Sequence, residues 1–326
     1  MRVGIIGGGI AGLTLAIRMY EAGHTPLVID KGSRIGGRVS SRAWHDRAFD
    51  HGAQYFTVRD SRFREFLDKH VPPSSWARWD GRFANLENGV LVADQPAAPR
   101  YVGVPGMGTI PEKLAEHVVY REETKVVRLA GEPGRWVLID DQEGEIGPFE
   151  WVVATAPPIQ SAALLEGRSP IAAEIAKVEM LPCFACAITP SNGSSLPFDG
   201  IRCRHPVIAW AANNQSKPGR PPGPTIMIHS GPEWTRDHLS DEHPIIWRRL
   251  EEAAAEVFGV DFGADAIGTI HRWLYARPAE PLGRPCLVDP VARLAACGDW
   301  CVSAKVEGAF LSGDACAEAI LGPSAV

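Results

Sequence analysis

Apolar and polar positions follow helix-like and strand-like periods in three stretches of the chain. Residues 2–30 combine an apolar run, a glycine turn, helical spacing from Leu13 to Ala22 and a second apolar run that leads to Asp30. Residues 118–155 have the pattern of short strands separated by turns, and residues 293–321 that of a strand, a glycine-acid turn and a closing helix. The pattern predicts an α/β domain assembled from both ends and the middle of the chain.

The intervening segments differ in kind. Residues 190–224 are rich in Pro, Gly, Ser and Asn with few periodic signals, and within them 216–224 is a loop by composition. Residues 241–258 have helical spacing and are followed by Gly259. We therefore expect two discontinuous domains. Their predicted segments are 1–70, 105–165 and 285–326 for the nucleotide-binding domain, and 71–104 and 166–284 for a substrate domain.

Composition narrows the class of protein. The chain has 326 residues, 45% hydrophobic and 22% charged, with a net charge of -6. This charge gives no reason to expect binding to nucleic acid or to an anionic membrane surface. No run approaches a membrane span and the first residues lack a signal peptide pattern, so we expect a cytoplasmic protein. Among seven cysteines, Cys183 and Cys186 form a C-x-x-C, either a redox pair or buried reduced thiols.

The glycine turn at residues 7–12 fits G-x-G-x-x-G. Gly7 allows the tight turn, Gly9 lets the backbone approach a pyrophosphate, and Gly12 lets helix and strand pack closely. The helix N-terminus offers N–H groups to phosphates, and Asp30 can accept hydrogen bonds from ribose hydroxyls. The motif does not separate FAD from NAD, and Lys31 even suggests a 2′-phosphate.

Three further segments favour FAD. The first, Gly36-Gly37-Arg38, offers close backbone approach and a guanidinium for phosphate oxygens. The second, residues 151–157, is an apolar strand that ends in small residues, and the third combines the Asp299 turn with a small-residue helix start at residues 306–313. The predicted cofactor contacts are Gly7, Gly9, Ile10, Ala11, Gly12, Asp30, Lys31, Gly37, Arg38, Gly52, Ala53, Gln54, Tyr55, Phe56, Val126, Thr155, Asp299, Glu307, Gly308 and Ala309.

The segment Asp50-His51-Gly52-Ala53-Gln54-Tyr55-Phe56-Thr57 resembles the flavin-contacting segment of the renalases and their bacterial relatives. Four other stretches resemble the same group: residues 102–107, 214–218, 271–278 (HRWLYARP) and 297–301 (CGDWC). The resemblance implies a Rossmann-type FAD-binding domain with an inserted α+β substrate domain, like p-hydroxybenzoate hydroxylase and the monoamine oxidases. It also implies noncovalent FAD, oxidation of 2- or 6-dihydro-NAD(P) to β-NAD(P)+, and O2 as the acceptor that yields H2O2. Lys305 departs from the Arg that the bacterial relatives often have there.

Hydride transfer from a dihydropyridine needs no general base, so we predict positioning residues and no catalytic acid or base. The candidate substrate contacts are Tyr55, Trp210, Asn214, His229, Trp234, Trp273, Tyr275 and Arg277. The flat aromatic rings could stack on a nicotinamide, and Asn214 and His229 could bind its carboxamide. Arg277 could bind a substrate phosphate or form a structural ion pair. Three alternatives stay open: an oxidase of a small amine, a flavin-binding redox protein without turnover, and an NADP-dependent reductase without flavin.

Overall fold

The structure, a computed structural model, describes residues 1–44, 47–95 and 97–322. The strands in chain order are β1 (Arg2–Ile6), β2 (Thr25–Ile29), β3 (Arg42–Trp44), β4 (Arg47–Phe49), β5 (Trp76–Arg78), β6 (Phe83–Glu87), β7 (Val90–Asp94), β8 (Tyr101–Gly103), β9 (Val119–Arg121), β10 (Val126–Ala130), β11 (Trp136–Asp140), β12 (Glu145–Phe149), β13 (Trp151–Ala154), β14 (Met180–Thr189), β15 (Gly200–Cys203), β16 (Ile208–Asn213), β17 (Ile226–Ser230), β18 (Ile267–Pro278), β19 (Leu287–Asp289) and β20 (Leu294–Ala296). The helices are α1 (Ile10–Glu21), α2 (Ser61–His70), α3 (Thr109–Ala115), α4 (Pro158–Leu165), α5 (Ile171–Ile175), α6 (Pro232–Asp237), α7 (His243–Phe258), α8 (Asp299–Val302) and α9 (Val306–Leu321).

A six-stranded sheet in the order β19-β20-β13-β1-β2-β9 forms the nucleotide-binding part. Its strands are parallel except for the β19–β20 pair, and β13 is buried along its whole length. Such burial requires cover on both faces. Helices α1 and α9 cover one face and approach closely, since a Cβ on Gly313 would lie 2.4 Å from the Ala11 oxygen. Strands β10–β12 and helices α4 and α5 pack against the other face.

A seven-stranded sheet in the order β18-β14-β17-β16-β15-β6-β7 forms the second part. Helix α7 covers one face with buried residues spaced four apart, Ile246, Leu250, Ala254 and Phe258, and it ends at Gly259, whose φ of 63° is left-handed. The opposite face carries Ala185, Ala187 and Met227, which pack against Phe49 of the nucleotide-binding part. The face opposite α7 therefore lies toward the first sheet.

The sequence pattern and the structure differ in two places. Strands β15 and β16 lie inside residues 190–224, where composition indicated few regular elements. The two strands are only four and six residues long and turn residues flank them, so their periodic signal is weak. Helix α5 was expected in the substrate domain, but Ile171 and Ile175 pack in the core beneath the six-stranded sheet. The helix predicted at 241–258 is confirmed as α7. Within the described residues, no helix is both long and apolar enough to cross a membrane.

Candidate functional site

The turn between β1 and α1 leaves open space beside its second glycine. Gly7 has a φ of 120°, and a Cβ on Gly12 would lie 2.1 Å from the Gly7 oxygen, so both positions require glycine. A Cβ added to Gly9 meets no atom within 4 Å, and one added to Gly37 meets only the Gly9 Cα at 3.7 Å. The two glycines thus border a cleft at the start of α1. A pyrophosphate fits the space and the N–H groups found there.

Asp30, at the end of β2, binds the backbone beside this cleft. Its carboxylate accepts hydrogen bonds from the Gly8 N–H at 2.6 Å and the Gly32 N–H at 2.7 Å. Lys31, next in the chain, is exposed and donates to Gln160 at 3.2 Å. Asp30 therefore sets the geometry of the glycine turn and stands at the end of the cleft where a ribose would follow a pyrophosphate.

Arg38 was predicted to meet phosphate oxygens, but the structure pairs it with Asp299. Its guanidinium donates to both carboxylate oxygens, Nη1 at 3.0 Å and Nη2 at 2.5 Å, and Nη1 also reaches the Ala276 oxygen at 3.2 Å. This bidentate pair joins the loop after β2, the start of α8 and strand β18. Arg38 and Asp299, both predicted to contact the cofactor, thus lie together at the junction of the two sheets.

Several other predicted cofactor residues have structural roles that their neighbours explain. The Thr155 hydroxyl donates to the Ile6 and Gly7 oxygens and so supports the glycine turn. Glu307 is buried, and its Oε1 accepts from the N–H groups of Arg59 at 2.5 Å and Asp60 at 2.8 Å. These two side chains are therefore directed at backbone groups.

The remaining predicted contacts divide between backbone and core. The side chains of Ile10, Ala11, Phe56 and Val126 are buried in hydrophobic clusters, so only their backbone can face a ligand. Gly308 and Ala309 open α9, and a Cβ on Gly308 would lie 2.3 Å from the Ser303 oxygen. The Ala53 N–H donates to the Arg38 oxygen, and Gly52 packs on the same oxygen, which places the 52–55 segment beside the Arg38–Asp299 pair.

A buried ionic cluster anchors the 50–54 segment. Asp50 is fully buried and accepts from Lys217 Nζ at 2.9 Å and Arg220 Nη2 at 2.6 Å, and from Ser41 and the Met107 N–H. Burial disfavours the carboxylate, but attraction to Lys217 and Arg220 outweighs it and lowers the pKa of Asp50. With Asp50 ionised and both cations protonated, the cluster carries one excess positive charge.

Gln54 connects this cluster to His229, one of the predicted substrate contacts. Its Oε1 accepts from Lys217 Nζ at 3.0 Å, while its Nε2 lies 3.4 Å from His229 Nε2. Burial and the neighbouring Lys217 charge lower the pKa of His229 to about 4, and burial lowers that of His51 to about 3. The imidazoles facing this region are therefore neutral at pH 7.

Aromatic rings line the junction between the two sheets. Tyr55 lies 5.6 Å from Trp210 with the ring planes tilted by 47°, and the Arg100 guanidinium lies over the Tyr55 ring at 4.8 Å. On the other side, Trp273 stacks on His51 at 5.3 Å and donates to the His51 oxygen at 2.8 Å. Aromatic side chains therefore concentrate at this junction, and their faces suit a flat ligand.

The structure corrects several substrate assignments. Trp234 lies against Phe184 and His238 on the α7 side of the seven-stranded sheet, away from the junction. Asn214 is buried, its amide nitrogen donates to the Ala48 oxygen and its carbonyl oxygen accepts from the Asp50 N–H at 3.4 Å, so both ends of the side chain bind the protein itself. Its role is to hold the 48–50 segment.

Tyr275 and Arg277 follow Trp273 along strand β18. Arg277 is exposed, and Tyr275 is half-buried in the stretch where β18 bulges against β14. Arg277 pairs across the strands with Leu181 near the end of the ladder, and its contact with a phosphate stays a prediction. Trp210, His229, Tyr55 and Trp273 are the predicted substrate residues that the structure brings together.

Sequence reasoning missed Lys217, Arg220, Arg100, His51 and His271. Lys217 and Arg220 lie in a Pro- and Gly-rich loop, where composition predicts exposure, yet both are buried. The signal that could have found them was the resemblance at 214–218, which includes Lys217. Burial of two cations needs a buried anion nearby, and Asp50 is more than 160 residues away in sequence.

The C-x-x-C motif is not a redox pair in this fold. Cys183 and Cys186 lie on β14, where an odd spacing directs their side chains to opposite faces, and all seven cysteines are free. Burial raises the pKa of Cys183 to about 12 and that of Cys186 still further. Both thiols are therefore protonated and poor nucleophiles.

The first sheet is mainly parallel, is covered on both faces and has open space beside the glycines of its first turn. The second sheet meets it at a junction lined by aromatic rings. This combination is typical of oxidoreductases that bind a dinucleotide. Residues 5–70 match the NAD(P)-binding Rossmann-like domain, and residues 87–321 match the flavin containing amine oxidoreductase family. The chain belongs to this flavin-containing amine oxidoreductase family, and the fold class predicted from the sequence is confirmed.

Solved structures share the whole architecture at low identity. A candidate protoporphyrinogen oxidase from Exiguobacterium sp. is 16% identical, with a TM-score of 0.79 over 98% of both chains. Putrescine oxidase bound to putrescine is 12% identical, with a TM-score of 0.73 over 98% of this chain and 99% of that one. These similarities show the fold.

Curated relatives match over short segments. The 15-cis-phytoene desaturase of Synechococcus elongatus is 46% identical over 50 residues, which is 15% of this chain and 10% of that protein. The 4,4'-diaponeurosporene oxygenase of Staphylococcus aureus is 35% identical over 54 residues, 17% of this chain and 11% of that protein. The chain thus spans about a tenth of each relative's length in these matches.

Proposed function

We propose that the protein binds FAD noncovalently and oxidises an isomeric dihydro-NAD(P), of the 2- or 6-dihydro type, to β-NAD(P)+. The open space beside Gly9 and Gly37 supports the dinucleotide, because it leaves room in which these backbone segments would hold a pyrophosphate. When bound, FAD supplies the hydride acceptor and passes the electrons to O2 to yield H2O2.

The observation that carries the substrate proposal is the electrostatic character of the junction. The buried cluster beneath Gln54 has two cations and one anion, and the facing imidazoles of His51 and His229 are neutral. An excess positive charge repels a protonated amine at close range, and it does not oppose a neutral dihydropyridine ring attached to phosphates. The charge therefore favours the dihydropyridine.

The residues at the junction then act by positioning. Tyr55 and Trp210 supply faces on which a nicotinamide ring packs, and Trp273 with His51 closes the opposite side. Packed rings exclude water, and the ring aromatises as it gives up its hydride, so no side chain needs to take a proton. Neutral histidines with low pKa values suit such a site because they neither compete as bases nor add charge.

A second candidate is the oxidation of a small amine. The tilted Tyr55–Trp210 pair favours it, since aromatic pairs are frequent in sites for amine oxidation. Under this alternative the amine binds in its neutral form against these rings.

One anaerobic experiment separates the two. The purified holoenzyme is mixed with 2-dihydro-NAD, 6-dihydro-NAD, putrescine or a monoamine, and flavin absorbance is followed at about 450 nm. Bleaching within seconds by a dihydro-NAD isomer supports the proposal, whereas bleaching by amines alone refutes it. Bleaching by neither would favour a flavin protein without turnover, and a protein purified without colour would favour a reductase that uses no flavin.

The two ring walls provide matched variants. Trp210→Leu removes a proposed contact face, so the concentration of dihydro-NAD for half-maximal bleaching should rise about tenfold, equivalent to about 1.4 kcal/mol of lost ring packing. Trp247→Leu removes a similar, partly buried ring from α7, which covers the other face of the sheet, and should leave that concentration unchanged.

A further inference from the structure

We propose that Arg38 is a positioning residue for the substrate side of the junction. Its hydrogen bond to the Ala276 oxygen holds the irregular stretch of β18 that directly follows Trp273. Arg38, predicted as a cofactor contact, thereby gains a second role on the seven-stranded sheet. The inference rests on the proposed function only where it treats Trp273 as a substrate contact.

Pairing within the sheet leaves this stretch of β18 incompletely held. Strand β18 is the terminal strand of the seven-stranded sheet and pairs with β14. Trp273 lies opposite Cys183, and Arg277 lies opposite Leu181. The three residues between Trp273 and Arg277 therefore face the single residue Pro182, which has no N–H to donate. The ladder thus holds the two ends of the stretch better than its middle.

The guanidinium of Arg38 meets the stretch from the nucleotide-binding part. Pairing with Asp299 fixes the guanidinium plane, since Nη1 and Nη2 each donate to one carboxylate oxygen, at 3.0 and 2.5 Å. Nη1 carries a second N–H, and it donates to the Ala276 oxygen at 3.2 Å. The side chains of Arg38 and Asp299 are 28% and 10% exposed, so the contact is partly shielded from water.

A second hydrogen bond crosses the same junction three residues earlier. The Trp273 indole N–H donates to the His51 oxygen at 2.8 Å, and the Trp273 ring stacks on the His51 ring at 5.3 Å. Two contacts therefore hold one short stretch of β18 against the nucleotide-binding part. Loss of the Arg38 contact leaves the Trp273 contact to hold the stretch alone, so Trp273 should open more often.

The test compares Arg38→Lys with the wild-type holoenzyme. Lysine keeps the positive charge, but its ammonium ends one bond short of the Nη1 position and forms no planar fork. The measurement is exchange of indole N–H groups with D2O, followed by NMR of 15N-tryptophan-labelled protein, with Trp273→Phe used to assign the signal. The Trp273 N–H should exchange about tenfold faster in Arg38→Lys, the effect expected from one lost hydrogen bond.

Trp136 is the internal reference. Its indole N–H donates to the Ala292 oxygen at 2.9 Å, in the core beneath the six-stranded sheet. Its exchange should keep the wild-type rate in Arg38→Lys. An unchanged Trp273 rate would overturn the inference, and so would an equal acceleration of Trp136 and Trp273, which indicates general loosening of the fold.

Arg284→Lys is the matched control variant, because Arg284 forms an exposed pair with Glu174. It should leave the exchange of Trp273 as in the wild type. The comparison is repeated with the apoproteins, in which unequal flavin content plays no part. Arg38→Lys should accelerate the exchange of Trp273 there as well, and a difference that vanished without flavin would count against the inference.

Kinetics separate this inference from the proposed function. The concentration of dihydro-NAD for half-maximal bleaching should rise about 3- to 10-fold in Arg38→Lys, with a smaller change in the limiting rate, and an unchanged concentration beside faster Trp273 exchange would refute the substrate-side role. If no dihydro-NAD isomer bleaches the flavin but Trp273 exchange accelerates as stated, the proposed function fails and the positioning of β18 by Arg38 stands. If an isomer bleaches the wild type and the exchange rates do not differ, the inference fails and the proposed function stands.

Discussion

Replacement of Asp50 by asparagine tests the ionic cluster most directly. The carboxylate is the one anion between Lys217 and Arg220, at 2.9 and 2.6 Å, and all three groups are buried. Asparagine keeps the volume but leaves two cations without a counter-charge. Breaking a buried ion pair by removing one partner costs about 3–5 kcal/mol. We therefore expect Asp50→Asn to lose about 3–5 kcal/mol of unfolding free energy, a large share of a typical domain's stability.

The assay is equilibrium urea unfolding followed by tryptophan fluorescence and circular dichroism. Asp68→Asn is the control, since Asp68 pairs with Arg64 one turn away on the exposed face of α2 and such pairs contribute about 0.3–0.5 kcal/mol. Adding Lys217→Met to Asp50→Asn should recover part of the loss, because one uncompensated cation disappears. A cost below about 1 kcal/mol for Asp50→Asn, or further destabilisation in the double variant, would refute the reasoning.

Three further outcomes follow from the same structure. Gly9→Ala should preserve the melting temperature and weaken FAD binding about tenfold, measured by fluorescence titration, whereas Gly12→Ala should unfold the turn because its Cβ would lie 2.1 Å from a backbone oxygen. As pH falls from about 6.5 to 4, His51 and His229 bind protons in the unfolded chain but not in the folded one, so the melting temperature should fall, and a flat profile would contradict this. Trp234→Leu should leave the rate of flavin bleaching by dihydro-NAD unchanged, because the side chain lies on the α7 side of its sheet, and a slower rate would return it to the site.

The nucleotide-binding half was predictable because its signals are local. The glycine turn, α1 and β2 follow one another within residues 2–30, and each depends on neighbours a few residues away. Helix α7 could be predicted for the same reason, since its regularly spaced buried residues and the Gly259 that ends it are close in sequence. Local pattern therefore predicts local elements and the fold class that they imply.

The positions of the predicted substrate residues could not be predicted from the sequence as well, because they depend on pairing between segments that are distant in the chain. Nothing near Asn214 in sequence shows that its amide is used by the backbone at residues 48–50. The face on which Trp234 lies depends on the packing of α6 against β14, which composition does not encode. Lys217 is buried only because Asp50 meets it across the two sheets.

The order of strands in the first sheet has a consequence for synthesis on the ribosome. β13 pairs with β1 on one side and with β20 on the other, and β20 is made after the whole seven-stranded sheet. β1 precedes β13, so the emerging chain holds an apolar strand with one unpaired edge while about 140 further residues leave the exit tunnel, and strand edges exposed in this way are sites of misassembly. Chaperone dependence should accordingly be greatest for chains stalled between β13 and β19, although the glycine motif is already complete in them.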